Sequence, residues 1–162
     1  MFDYCYECGT KLEIKELEHE GLIPFCPKCK EFRFPIFSSA VNVVILNKEQ
    51  TKTLFVKQYG IDNYRLVAGY INKGENAEEA LVRELNEELG VSPLEFHFQR
   101  TIYFEKSNTL MINYYALLDN EEVYPNYEID SYKWFDLDEG IEAIKKASLA
   151  SICYNYYLEH RK

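Results

Sequence analysis

Three glutamates decide most of what this chain can be. Glu84, Glu87 and Glu88 stand at i, i+3 and i+4 in an Ala/Leu/Glu-rich run from Asn76 to Val91. At about 100° per residue, a helix puts all three on one face. Like charges at those spacings repel by roughly 0.2–0.5 kcal/mol per pair. A cation over that face turns repulsion into attraction, and clustered carboxylate oxygens are what a hard ion such as Mg²⁺ prefers. Leu81, Val82, Leu85 and Leu89 fill the adjoining sector and give the helix a stripe to bury. Arg83 lies one turn from both Glu79 and Glu87, so its guanidinium is expected to tie acids in place, and Gly90 supplies a C-terminal stop. Read alone, this helix could equally be a surface helix with a solvated acidic face.

The residues before it narrow the choice. Gly69-Tyr70-Ile71-Asn72-Lys73-Gly74-Glu75 is a glycine-punctuated loop that feeds the helix. Gly69, Glu75, Arg83, Glu84, Leu85, Glu87, Glu88, Gly90 and Val91 together fill every fixed position of G-x5-E-x7-R-E-U-x-E-E-x-G-U, with U aliphatic. At roughly 5–7% usage per residue type, its seven fixed polar or glycine positions coincide by chance about once in 10⁸ starts. The stretch resembles the Nudix box. That resemblance implies a loop–helix–loop that holds a divalent cation, Mg²⁺ or Mn²⁺, and hydrolyses a nucleoside diphosphate linked to another group. It assigns Glu84, Glu87 and Glu88 as metal ligands, with the Gly69 carbonyl joining them. It also pairs Glu75 with Arg83 as support.

Four of the five cysteines form two pairs, Cys5-Tyr6-Glu7-Cys8 and Cys26-Pro27-Lys28-Cys29, with seventeen residues between them. C-x2-C…C-x2-C at that gap is the pattern of a tetrahedral Cys₄ zinc ribbon, each pair forming a tight turn that aims two thiolates at one ion. Two disulfides would need an oxidising compartment. A redox C-x-x-C would open a helix in a larger βαβ unit, and no such unit surrounds these pairs. Four thiolates leave no open coordination position, so the Zn²⁺ is expected to be structural. About 30 residues cannot build a core unaided. Cys153, the fifth, is expected to be a small buried hydrophobe on a helix.

At 162 residues with 47% apolar content, the chain fits one domain with a small appendage. No apolar run reaches the roughly 18 residues that a membrane span requires, and Asp3 and Cys5 stand where a signal peptide needs bases and an apolar core. A cytoplasmic location with no membrane partner is expected. The net charge of −9 argues against broad binding of nucleic acid. It also repels a phosphate substrate, for which bound cations are the simplest remedy.

The rest of the chain reads as strands. Phe32 to Phe37 is an extended connector, Ser38 to Leu46 a β-branched strand, and Thr53 to Lys57 its hairpin partner across a polar turn. Arg65 to Ile71 is a third short strand delivering the glycine loop. Phe96, Phe98, Arg100, Ile102 and Phe104 are expected to alternate along one face of a further strand, and Thr109 to Leu118 is another. Asp119 to Tyr127 is a loop, and Tyr132 to Phe135 the last strand. Asp136-Leu137-Asp138-Glu139 looks like a capping box. It opens a helical stripe of Ile141, Ile144, Leu149, Ile152, Cys153 and Tyr156. This order is compatible with the fold the resemblance implies, of the α/β (α+β) class. It is an α/β/α sandwich with a mixed sheet at residues 35–162, preceded by a zinc ribbon at 1–34.

A ribbon ahead of such a domain is similar to the NADH pyrophosphatase (NAD⁺ diphosphatase) branch of the family. Phe34-Pro35 and Val67-Ala68-Gly69-Tyr70 correspond to segments of that branch, and Glu128 falls where it keeps a further acidic metal ligand. The resemblance implies purine stacking by Tyr70 and Phe34, with Ala68 beside the substrate, and a homodimer in which the ribbon contributes to the partner's site. Arg100 is a candidate for contacting phosphate. The branch carries S-Q-P-W-P-F-P after the box. Here Gln99 to Ser107 retains only Phe104, and Ser107 at most, so the substrate is open among three kinds. These are NAD(H) or a related adenine dinucleotide, ADP-ribose or another nucleoside diphosphate derivative, and a 5′-NAD cap on RNA. A different class stays open as well: a nucleotide-sensing module that binds without cleaving and presents the ribbon to a protein partner.

Overall fold

The computed structural model describes residues 3–161, and it divides into two compact units, 1–37 and 38–162. The smaller is a three-stranded antiparallel sheet of β1 (Glu13–Leu17), β2 (Gly21–Cys26) and β3 (Glu31–Phe32). Its two cysteine turns are built alike. Gly9 and Lys30, four residues after Cys5 and Cys26, both take left-handed backbone, and each donates its N–H to the carbonyl of that cysteine at 2.8 Å. Cys5 and Cys26 are buried, and the Phe25 and Phe32 rings meet edge to face at 5.1 Å. That is too little apolar surface to hold so short a chain without a crosslink.

The larger unit is a sandwich. Its central strand is β4 (Ser38–Asn47), buried without interruption from Ala40 to Asn47 because both faces are covered. One edge of β4 runs parallel to β8 (Thr109–Leu118), which pairs antiparallel with β7 (Glu95–Phe104). On its other edge β4 changes partner. Ala40 to Val43 pair with β6 (Val67–Tyr70), and Ile45 and Leu46 pair with β5 (Lys52–Gln58). β9 (Ile129–Asp136) closes that side against β5. The outcome is a mixed six-stranded sheet, the α/β class expected.

Helix α1 (Ala77–Leu89) covers one face, burying Ala80, Leu81, Leu85 and Leu89 against Val41, Val43, Ile45 and Val67. The other face, centred on Val44, Leu46 and Phe55, is covered by α2 (Leu137–Ala143) and α3 (Leu149–His160). One continuous C-terminal helix was the expectation. Two form because Ala147 turns left-handed and Ser148 caps a new helix by accepting from Ser151 N–H. The expected capping box is absent, since Asp136 makes no side-chain cap bond. The expected stripe is shifted as well: Ile141 and Ile152 face outward, while Tyr154 and Tyr157 are buried.

A second departure lies in β7. Gln99 has no partner across from it, because the register passes from Phe98↔Tyr114 to Arg100↔Asn113. This bulge reverses the alternation. Phe96 and Phe98 meet Tyr114 on the α1 side, whereas Ile102 packs on the α3 side. The five residues expected on one face are therefore split between two. Cys153 is buried, as expected, but it is also polar in role, donating to Asn113 Oδ1 at 2.8 Å beside the Asn42–Asn113 bond of 3.0 Å. No helix is long and apolar enough to cross a membrane among the described residues.

Candidate active site

The partner change along β4 lets β6 run out past the N-terminal part of α1. A β-carbon added at Gly69 would lie 1.8 Å from Glu84 Oε1, so the strand approaches the acid only because residue 69 has no side chain. From Gly69 the chain turns through Gly74, at φ 90°, into the helix. Asn76 caps α1 by accepting from Glu79 N–H, and Glu79 accepts in return from Asn76 N–H. Glu79 is thereby spent on the cap and does not meet Arg83, contrary to the expectation that Arg83 would tie it.

Arg83 instead gathers the loop and the helix. Its Nε and Nη2 donate to Glu75 Oε1 and Oε2 at 2.7 and 3.0 Å. Nη2 also reaches the Tyr70 carbonyl at 2.9 Å. Nη1 donates to Glu84 at 2.6 Å and to Glu87 at 3.0 Å. The guanidinium beside it, with the Asn72 N–H, holds the Glu75 carboxyl below the usual carboxylate range.

The far end of α1 is laced to the loop before β9. Tyr124 N–H donates to the Leu89 carbonyl at 2.7 Å and Asn126 N–H to that of Glu88 at 2.9 Å, satisfying carbonyls that a helix end leaves open. Gly90 leaves room for this, since a β-carbon there would stand 3.0 Å from Tyr124 Cβ. Asn126 Oδ1 then accepts from Glu128 N–H at 2.8 Å. In this way Glu128, distant in sequence, joins Glu84, Glu87 and Glu88 around one cavity of about 480 Å³, with Gly69, Ala68 and Tyr70 also in its wall.

Glu88 is the unusual acid. It is 4% exposed and accepts from Gln58 Nε2 at 2.9 Å. Burial, and next the charge of Glu84, push its carboxyl up to about 7. A buried carboxyl facing like charges is costly to ionise unless a cation compensates, and a set of hard oxygen donors this dense suits a divalent ion. The donor chemistry therefore fits such an ion, and Glu84, Glu87, Glu88 and Glu128 are the residues positioned to hold it.

Two contributors were not anticipated from the sequence. Gln58 ends β5 at a bulge, and Tyr59 beside it takes left-handed backbone at φ 57°, an uncommon state for an aromatic residue. This turn aims neighbouring side chains at two different acids: Gln58 at Glu88, and Tyr59, whose hydroxyl donates to Glu128 Oε2 at 2.7 Å. The one available signal was the polar pair Lys57-Gln58 after the apolar run Leu54-Phe55-Val56. Arg100 and Phe104, by contrast, do not line the cavity. Arg100 lies on the α3 side, its guanidinium 4.8 Å from the Tyr156 ring centre, because of the bulge. Phe104 leads into the single turn Glu105–Ser107, from which Ser107 does reach the cavity wall. Phe34 belongs to the smaller unit and is half exposed.

In that smaller unit the four thiols of Cys5, Cys8, Cys26 and Cys29 converge, their sulfurs all within 4.8 Å of one another. Neighbouring Cys8, together with burial, pushes the Cys29 thiol up to about 12, so four thiolates cannot coexist there without a cation. Arg33, 4% exposed, donates to Cys5 Sγ at 3.3 Å and is held by Glu31 and Glu7. A positive charge in that position offsets part of the surplus negative charge that four thiolates leave on a divalent ion.

The family model of the NUDIX domain matches residues 37–153. The chain belongs to the NUDIX domain family. Among its relatives are proteins described as NAD-capped RNA hydrolase NudC. The one from Pseudomonas aeruginosa is 26% identical over 98% of this chain and 56% of its own length. That from Stutzerimonas stutzeri is 24% identical over the same shares. The chain thus spans a little over half the length of these relatives. Among solved structures, the NUDIX domain of Shewanella oneidensis NrtR, complexed with ADP ribose, superposes with a TM-score of 0.67 at 19% identity, covering 85% of this chain and 94% of that one. A NUDIX hydrolase from Nitrosomonas europaea gives 0.65 at 18% identity, covering 99% and 92%. The shared NUDIX fold accounts for the sandwich and for the loop–helix that carries the acids.

The raised Glu88 carboxyl sets a pH dependence of definite sign. Its folded value lies above the ordinary carboxylate value, so the native state binds the extra proton, and stability from this group is lost as pH rises from about 4.5 to about 7. Without divalent cations, thermal melts should show the wild type losing ground to Glu88→Gln between pH 5 and pH 8. Millimolar Mg²⁺ should cancel that loss. Parallel melting curves for the two proteins across this range in EDTA would contradict the assignment.

Proposed function

We propose that this NUDIX protein is a diphosphatase that cleaves the diphosphate bond of NAD(H) or a related adenine dinucleotide, giving AMP and a mononucleotide. One observation carries the reading: four carboxylates from two distant segments, Glu84, Glu87, Glu88 and Glu128, surround one cavity, with the full box around them. The alignment with NAD-capped RNA hydrolases along 98% of the chain supports an NAD-linked substrate.

In this reading the four carboxylates, with the Gly69 carbonyl, hold Mg²⁺ or Mn²⁺. When bound, such ions neutralise the diphosphate and lower the pKa of a ligated water. The chain's own residues supply the rest. Arg83 fixes Glu84 and Glu87 on one side, and Gln58 and Tyr59 fix Glu88 and Glu128 on the other. One of these acids accepts the proton of the attacking water, whose oxygen bonds to one phosphorus as the bridging P–O bond breaks. Tyr70, 59% exposed at the cavity wall beside Ala68, offers its ring to a purine. Cys5, Cys8, Cys26 and Cys29 hold one Zn²⁺ that organises residues 1–34, ahead of the catalytic domain at 35–162. We place the enzyme in the cytoplasm, acting as a homodimer.

ADP-ribose remains the second substrate to try, because the similar NrtR domain is described in complex with it. Chromatographic product analysis with Mg²⁺ or Mn²⁺ over NADH, NAD⁺, ADP-ribose, an NAD-capped RNA oligonucleotide and nucleoside triphosphates tests the reading. AMP and NMNH released from NADH fastest is the expected result, with Glu84→Gln and Glu88→Gln folded and at least 100-fold slower. Faster cleavage of another substrate would reassign the specificity. Nucleotide binding without turnover of any of them would replace the enzyme with a sensing module. Elemental analysis of the same protein should return one zinc per chain, and its loss on Cys26→Ser.

A further inference from the structure

The bulge in β7 does more than reverse a face. It leaves Gln99 half buried, with its amide oxygen Oε1 shut away from solvent and without a partner among the described residues. Gln99 lines a second cavity of about 460 Å³, between β7, β8 and the end of α3. This is the face of the sheet away from α1 and the glutamates, since its Tyr115 and Tyr157 belong to the layer under α3.

The walls are unlike the rest of this acidic protein. Two of the chain's three histidines are here, each flat against a tyrosine. The His97 and Tyr115 rings stack at 4.9 Å with 25° between planes, and Tyr156 and His160 at 4.0 Å with 21°. Arg161 stands at the C-terminal cap of α3. No described lining residue is an acid; Glu95, 3.7 Å from His97 Nε2, is the carboxylate seen nearest to that ring. His160 Nδ1 donates to the Tyr156 carbonyl at 2.9 Å, so the neutral ring keeps Nε2 as a hydrogen-bond acceptor. A chain of net charge −9 has thus collected aromatic planes, two imidazoles and a guanidinium around one opening, with no carboxylate among the described lining residues.

We propose that this cavity is a second ligand site, for a phosphorylated planar nitrogen heterocycle of mononucleotide size. Flat rings stack on tyrosine and histidine faces, at roughly 1–3 kcal/mol per base. The phosphate meets Arg161, whose guanidinium supplies the donors. A ring N–H or amino group meets the Gln99 amide, which turns outward about its last side-chain bond. The volume lies within the usual range of small-molecule sites, roughly 300–1,000 Å³. The proposal is independent of what the glutamate cavity hydrolyses.

Calorimetric titration of the full chain with AMP in EDTA tests it, because without divalent ions the four glutamates repel a nucleotide. AMP should bind one to one with a sub-millimolar Kd, and adenosine and inorganic phosphate at least tenfold more weakly. Arg161→Glu and Gln99→Leu should each weaken AMP at least tenfold, whereas Tyr70→Ala should leave it unchanged. Circular dichroism establishes that each variant is folded, and Arg161 is exposed enough to be replaced without loss of core. No AMP binding up to several millimolar would overturn the proposal. So would binding that survives Arg161→Glu, or phosphate binding as tightly as AMP, which would indicate an adventitious anion only.

Discussion

The five donors of one arginine hold the glutamate cavity together. Arg83 sits on α1 but bonds backward to Glu75 and the Tyr70 carbonyl, and sideways to Glu84 and Glu87. A lysine, with one point charge, cannot make a two-oxygen bond to Glu75 and still reach three other acceptors. Single exposed ion pairs contribute little, but this is a partly buried network with ideal spacing, and networks are where such pairs count. Its effect is geometric. The loop after β6 is fixed to the helix, and two acids that repel one another are kept in place.

Every other feature of the site follows from bringing a second set of elements to that helix. β4 pairs with β6 for its first half and β5 for its second, so β6 ends over α1 and β5 ends at the Gln58 bulge facing Glu88. The open carbonyls of Glu88 and Leu89 capture the loop that brings Glu128. Helix-end chemistry, a bulge and one left-handed tyrosine thus deliver acids and their supports from separate parts of the chain. The sheet's opposite face carries an unrelated cavity, where His97 stands by ordinary alternation and toward which the β7 bulge turns Arg100.

How much of this could be read in the sequence depends on the range of the interaction. The α1 residues and their spacing were legible because a helix relates i, i+3 and i+4 by local geometry alone. The cysteine pairs were legible because C-x2-C is also local. Arg83 meeting Glu75 across a turn was within reach, but its missing bond to Glu79 was not, since the cap competes for that carboxylate. The β7 bulge left no mark in composition: one extra residue, Gln99, sends Arg100 to the wrong side for the role that alternation suggested. The break at Ala147 was likewise hidden, because Ile141 to Tyr156 keeps enough helical period to read as one stripe. Gln58 and Tyr59 escaped notice because their importance comes from what lies opposite them in the fold.

The most direct test of a preformed cation site is Mn²⁺ binding to the wild type and to Gly69→Ala, followed by electron paramagnetic resonance at neutral pH. The alanine β-carbon would occupy the space of the Glu84 carboxylate while leaving α1 and the sheet intact. Sub-millimolar Mn²⁺ binding by the wild type, weakened at least tenfold in a folded Gly69→Ala, is the expected result. Equal affinity in the two proteins, or no Mn²⁺ binding by the wild type, would contradict a site built on the approach of Gly69 to Glu84.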